Sequence, residues 1–63
     1  MTEIIVKCGY KQLADVCSQY IGPRKFYLHN RIGGQDWEVR ASEGNTVLRV
    51  AQPELISFIL LKI

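Results

Sequence analysis

Residues 25–51, KFYLHNRIGGQDWEVRASEGNTVLRVA, contain three short stretches in which apolar and polar residues alternate: KFYLHNRI at 25–32, WEVRA at 37–41 and TVLRV at 46–50. Successive side chains of a strand point to opposite faces, so a sheet with one covered face reads with a period of two. The turn-forming runs GGQD and EGN separate the stretches, and the whole segment predicts an antiparallel three-stranded meander. On this reading Phe26, Leu28, Asn30 and Ile32 share the core face with Trp37, Val39, Ala41, Leu48 and Val50. Asn30 is the misfit, because a buried amide needs hydrogen-bond partners, and it points to a bulge or a strand end.

Working outward, residues 2–8 read as a further strand with β-branched Ile4, Ile5 and Val6 at its centre and Gly9 breaking it. Ile4, Val6 and Cys8 face one way, Glu3, Ile5 and Lys7 the other. Residues 10–21 predict an amphipathic helix, since Leu13, Val16, Cys17, Tyr20 and Ile21 recur at helical spacing with polar residues between them. Gly22 in a left-handed conformation, followed by Pro23, is the expected stop. Pro53 and Glu54 suit the first turn of a second helix over 54–63. A strand through ISFILLKI, residues 56–63, is the competing reading, because short apolar runs are not decided by periodicity alone. The expected fold class is α+β: a β-α-β-β-β-α order, with an antiparallel three- to four-stranded sheet and the helices packed on one face. Residues 1–63 read as a single compact domain.

A chain of 63 residues, 48% hydrophobic and 22% charged, has the composition of a folded domain. It buries only roughly 60% of its unfolded surface, so its stability is modest and a second chain is a natural way to complete the core. The start MTEIIVKCGY lacks a basic leader region, and no run reaches the ~20 apolar residues of a membrane span. The expectation is a soluble protein retained in the cytoplasm. Cys8 and Cys17 are expected as reduced, buried thiols, with Cys17 on the apolar helix face.

Catalytic chemistry finds little foothold. Cys8 or Cys17 with His29 supplies a nucleophile and a base by residue type, but the expected faces hold Cys17 and His29 apart, and no third group orients the base. Zinc requires three or four ligands at characteristic spacings, which two cysteines and one histidine do not provide. Gly33-Gly34 belongs to a turn and lacks phosphate-loop spacing, and Asp36 closes that turn. The expectation is a non-enzymatic protein without metal or cofactor.

Two surfaces remain. The sheet face opposite the core is expected to carry Lys25, Tyr27, His29, Arg31, Arg40 and Arg49, with Arg24 just ahead and Glu38 as the lone acid. Cations beside an aromatic ring and an imidazole suit phosphate contacts and base stacking, or equally a protein partner; a plain solvated sheet face also alternates charges. A net charge of +2 is modest for a dedicated nucleic-acid binder and favours protein contacts. The second surface is the C-terminal segment, where Leu55, Phe58, Ile59, Leu61 and Ile63 leave little of the helix polar and are expected to mediate self-association. The layout of a helix, a three-stranded meander and a second helix is similar to that of a double-stranded-RNA-binding domain, an analogy of fold alone. Here QPELISF stands where that family would carry phosphate-gripping lysines.

The expected function is that of a small binding or regulatory protein, an inhibitor or adaptor, acting on a protein partner and as a homodimer. The alternative is a nucleic-acid-binding module, through the cationic face or through a winged helix-turn-helix. The latter would make helices of QLADVCS and PRKFYLHNRIG and a wing of WEVRASEGNTVLRV.

Overall fold

Leu28 and Arg31 pair across a turn at His29 and Asn30, so the stretch 25–32 folds back on itself as a hairpin. In this computed structural model, which describes residues 2–63, the elements are β1 (Thr2–Val6), α1 (Tyr10–Tyr20), β2 (Phe26–Leu28), β3 (Arg31–Gly33), β4 (Trp37–Ser42), β5 (Asn45–Val50) and α2 (Glu54–Leu60). The α+β class and the antiparallel sheet are as expected, but the sheet has five strands in the order β1-β5-β4-β3-β2. The chain leaves one edge of the sheet at β1, crosses on α1 to the other edge at β2, and returns strand by strand to β5.

Folding 25–32 as a hairpin inverts half of its face assignment. In one continuous strand Tyr27 and Ile32 would point to opposite sides, whereas in the hairpin they are cross-strand partners on the same side. Ile32 is buried beneath α1, and Tyr27 extends that row outward. Phe26 and Leu28 therefore lie on the uncovered face and are exposed, correcting their expected place in the core. Asn30 is accounted for as a turn residue: its carbonyl accepts from the Ala41 amide at 2.9 Å and its side-chain amide donates to the Ala41 carbonyl at 3.2 Å. The helix that a helix-turn-helix would need over 23–32 is not formed.

The β4–β5 connection follows the expected turn chemistry. Glu43 and Gly44 have φ of 50° and 80°, the pair of positive values that a type I′ turn requires between paired Ser42 and Asn45. At the end of α1 the expected left-handed glycine is absent. Ile21 has right-handed helical dihedrals, and the Ile21 and Gly22 amides both donate to the Cys17 carbonyl, at 2.8 and 3.3 Å.

The core forms where α1 lies on the sheet. Leu13, Ala14 and Cys17 meet Val6, Ile32, Trp37, Val39, Leu48 and Val50, and α2 contributes Ile59. Ala14 joins the buried stripe, while Tyr20 stays exposed at its end. Trp37 is the largest of these side chains and only 1% exposed; its indole N–H donates to the Gly22 carbonyl at 2.9 Å. Gly34 backs onto this ring, and a Cβ there would stand 2.6 Å from Trp37 Nε1. Thr46, the buried polar residue of β5, donates its hydroxyl to the Cys8 carbonyl at 2.6 Å. Residues 54–60 are helical, which decides between the two readings of the C-terminal segment.

Candidate interaction surface

The sheet face turned away from the helices is built from two cross-strand rows. The register places Ile5, Val47, Arg40, Arg31 and Leu28 side by side in one row, and Glu3, Arg49, Glu38, Gly33 and Phe26 in the next. Each row crosses all five strands, so residues distant in the sequence become neighbours. Gly33 matters here because its missing side chain leaves room for the Phe26 ring, with which a Cβ would collide.

Charge is arranged along these rows as a continuous chain of ion pairs. Glu38 receives Arg31 Nε at 3.0 Å and Arg49 Nη1 at 3.7 Å; Glu3 receives Arg40 Nη2 at 3.4 Å and Arg49 Nε at 3.6 Å. Three arginines thus share two carboxylates, and Glu3 joins Glu38, which the sequence reading took as the lone acid. The arginines are roughly half-exposed, so each pair contributes at most about 1 kcal/mol. The network's main effect is to leave the guanidinium groups largely neutralised. Apolar side chains flank it at both ends: exposed Ile5, next to the largely buried Val47, towards β1, and exposed Phe26 and Leu28 on β2. A shallow depression of about 600 Å³ lies at the β1 end, lined by Glu3, Ile5, Arg40, Glu43 and Val47 among others.

Of the seven residues expected on this face, Arg31, Arg40 and Arg49 are brought together and the others are not. Arg24 lies in the loop after α1 and pairs with Asp15 of that helix. Tyr27 lies on the helix side, in a recess shared with Lys11, Asp15, Arg24 and Ile32. His29 occupies the β2–β3 turn, and Lys25 precedes β2, its backbone amide bonded to the Gly33 carbonyl at 2.8 Å. The apolar members Ile5, Val47, Phe26 and Leu28, and the acid Glu3, were missed because only the β1–β5 and β2–β3 pairings make them neighbours.

The C-terminal segment is partly consumed by the chain itself. Ile59 is fully buried in the core and so is withdrawn from any contact between molecules. Phe58 meets the Tyr20 ring edge-on at 5.5 Å, and Lys62 Nζ stands 5.3 Å from each ring. Leu55 is half-buried, Ile63 is exposed, and Leu61 is 82% exposed.

Both cysteines are free; Cys17 is buried as expected, whereas Cys8, in the bend after β1, is only half-buried. Burial, followed by the nearby charge of Cys8, pushes the Cys17 thiol up to about 12, and burial also raises that of Cys8. The thiolate, the form a nucleophile needs, is disfavoured at both positions. Among the described residues no three His, Cys, Asp or Glu side chains gather as a metal-binding group, and no helix is long and apolar enough to cross a membrane. No protein-family model, curated protein or solved structure matches the chain.

Proposed function

We propose that this chain is a small non-enzymatic binding protein, of inhibitor or adaptor type, which acts on a protein partner through the open face of its sheet and self-associates. The observation that carries this reading is the pairing of Arg31, Arg40 and Arg49 with Glu3 and Glu38, between apolar flanks formed by Ile5 with Val47 and by Phe26 with Leu28. Phosphate would have to displace carboxylates already in place to reach these arginines. A protein surface of mixed apolar and ionic character can instead lie across both rows and keep the pairs intact. Tyr27 stands on the other side of the sheet from the arginines, and Phe26, which shares their face, lies at its β2 edge packed over Gly33, so neither forms a base-stacking platform at the centre of the arginine cluster. Free thiols at Cys8 and Cys17 suit a reducing compartment, in keeping with a cytoplasmic protein.

The test is affinity capture with the tagged chain alongside a salt-dependent nucleic-acid titration. A stoichiometric protein complex that survives for the wild type and is lost on the double reversal Arg31→Glu, Arg40→Glu is the expected result. Sub-micromolar nucleic-acid binding that falls steeply with salt would refute the reading and establish the nucleic-acid alternative.

A further inference from the structure

The two edges of the sheet are unlike. β2 is three residues long and is preceded by Pro23, Arg24 and Lys25, a short edge with proline and charge beside it. Those are the ordinary means by which an edge strand avoids pairing with another chain. β1 is five residues long, β-branched through Ile4, Ile5 and Val6, and carries no proline; among the described residues β5 is its one strand neighbour. Its outer backbone groups form a template for a further strand.

Two charges, Glu3 within β1 and Lys7 one residue past its end, select which strand that is. Glu3 and Lys7 are opposite in sign and stand two residues to either side of Ile5. In an antiparallel pairing of the strand with itself, centred on Ile5, each Glu3 falls opposite the other copy's Lys7. Such a pattern repels nothing when it meets itself and is self-complementary across a two-fold axis. We propose that β1 pairs with β1 of a second copy in this register, joining two five-stranded sheets into one continuous sheet. Ile5 then faces Ile5 of the second copy on the open side, and Ile4 faces its Val6 on the helix side.

This names the interface of the self-association proposed above, on which it rests, and it changes the open face. Ile5 is 62% exposed in the single chain and sits beside Val47. Across the two-fold axis the two Ile5–Val47 pairs meet as one apolar strip, bordered on each side by an arginine–glutamate network. The partner-binding face proposed for one chain becomes half of a symmetric surface whose apolar centre exists only in the dimer.

Sedimentation velocity over the micromolar range tests the interface with three single variants, each checked for folding by circular dichroism. Ile5→Lys sets two like charges opposite each other and removes two apolar side chains, and is expected to raise the dimer Kd about a hundredfold. Lys7→Glu is expected to weaken the dimer to a smaller extent, whereas Leu61→Lys, just past the end of α2, leaves it unchanged. Register is read by mild oxidation in a Cys8→Ser background. Ile5→Cys is expected to give a disulfide-linked dimer, and Leu28→Cys, at a comparably exposed position on the other edge, is expected to form no disulfide link between copies. A dimer dissociated by Leu61→Lys and untouched by Ile5→Lys would overturn the β1 interface while leaving self-association standing. A wild type that stays monomeric throughout the range would overturn both.

Discussion

Trp37→Ala is the sharpest test of the packing that positions the open face. The indole is 1% exposed, lies against Gly34 and donates to the Gly22 carbonyl at 2.9 Å, so truncation leaves a cavity under α1 and an unpaired carbonyl at the helix end. Removing a buried aromatic side chain costs about 3 to 5 kcal/mol. A domain of 63 residues has about 3 to 9 kcal/mol in total, at 0.05 to 0.15 kcal/mol per residue. The variant is therefore expected to be largely unfolded or barely stable. Trp37→Phe separates the two contributions, because it keeps most of the apolar volume and loses the donor, at a cost nearer 1 kcal/mol plus a smaller packing loss. Urea unfolding followed by far-ultraviolet circular dichroism reads both variants without relying on tryptophan fluorescence. With a slope of about 1 kcal/mol per molar urea, Trp37→Phe lowers the midpoint by about 1 M, and Trp37→Ala shows little or no native baseline. An unchanged midpoint for Trp37→Ala would refute the core assignment, and equal losses for alanine and phenylalanine would refute the division between packing and hydrogen bond.

Two further outcomes follow from the charge network and from the buried thiol. Glu38→Gln removes the carboxylate paired with Arg31 and one of the two paired with Arg49, and is expected to cost about 1 kcal/mol at low salt, shrinking at 1 M salt as screening weakens the pairs it removed; identical urea midpoints at low salt would mean that the pairs contribute nothing. Cys17 stays protonated in the folded chain to about pH 12, whereas its thiol in the unfolded chain ionises near 9.0. The unfolded state therefore binds fewer protons between these values, and its contribution to stability, complete below pH 9.0, declines as pH rises towards 12 by about 1.4 kcal/mol per pH unit at most. Urea midpoints measured at pH 8 and pH 10 for the wild type and for Cys17→Ala test this, and an equal decline in both proteins would count against it.

Local chemistry made much of the fold legible, and failed where a turn carried no signal of its own. The stripe Leu13, Val16, Cys17 predicts α1, and the run EGN predicts a turn because its glycine, Gly44, takes a positive φ without steric cost. The turn at His29 and Asn30 needs none: among the described residues Glu43 is the one non-glycine with positive φ. Two ordinary residues could thus reverse the chain inside a stretch whose alternation ran on unbroken. Alternation constrains neighbours i and i+2 within each arm, and it holds in both Phe26–Leu28 and Arg31–Gly33. It cannot relate one arm to the other, which is why Phe26 and Leu28 were placed in the core. Asn30 was the visible clue, being a turn-tolerant residue at a position where the single-strand reading demanded burial.

The candidate face was legible as a set of arginines and illegible as an electrostatic object. Residue counts show eight basic and six acidic side chains, but whether a guanidinium is available depends on which carboxylate the register sets beside it. Arg49 acquires Glu3 because β1 pairs with β5, and acquires Glu38 because β4 pairs with β5 on the other side. Neither pairing is encoded within a window of neighbouring residues. The same register gathers Ile5 with Val47 at one end of the face and Phe26 with Leu28 at the other, converting an apparent polyanion site into an ion-paired strip between apolar ends. A surface of that kind gains little long-range attraction for phosphate, and gains affinity chiefly when a shaped, partly apolar counterpart excludes water from both ends at once. The proposed binding class therefore rests on strand order more than on composition.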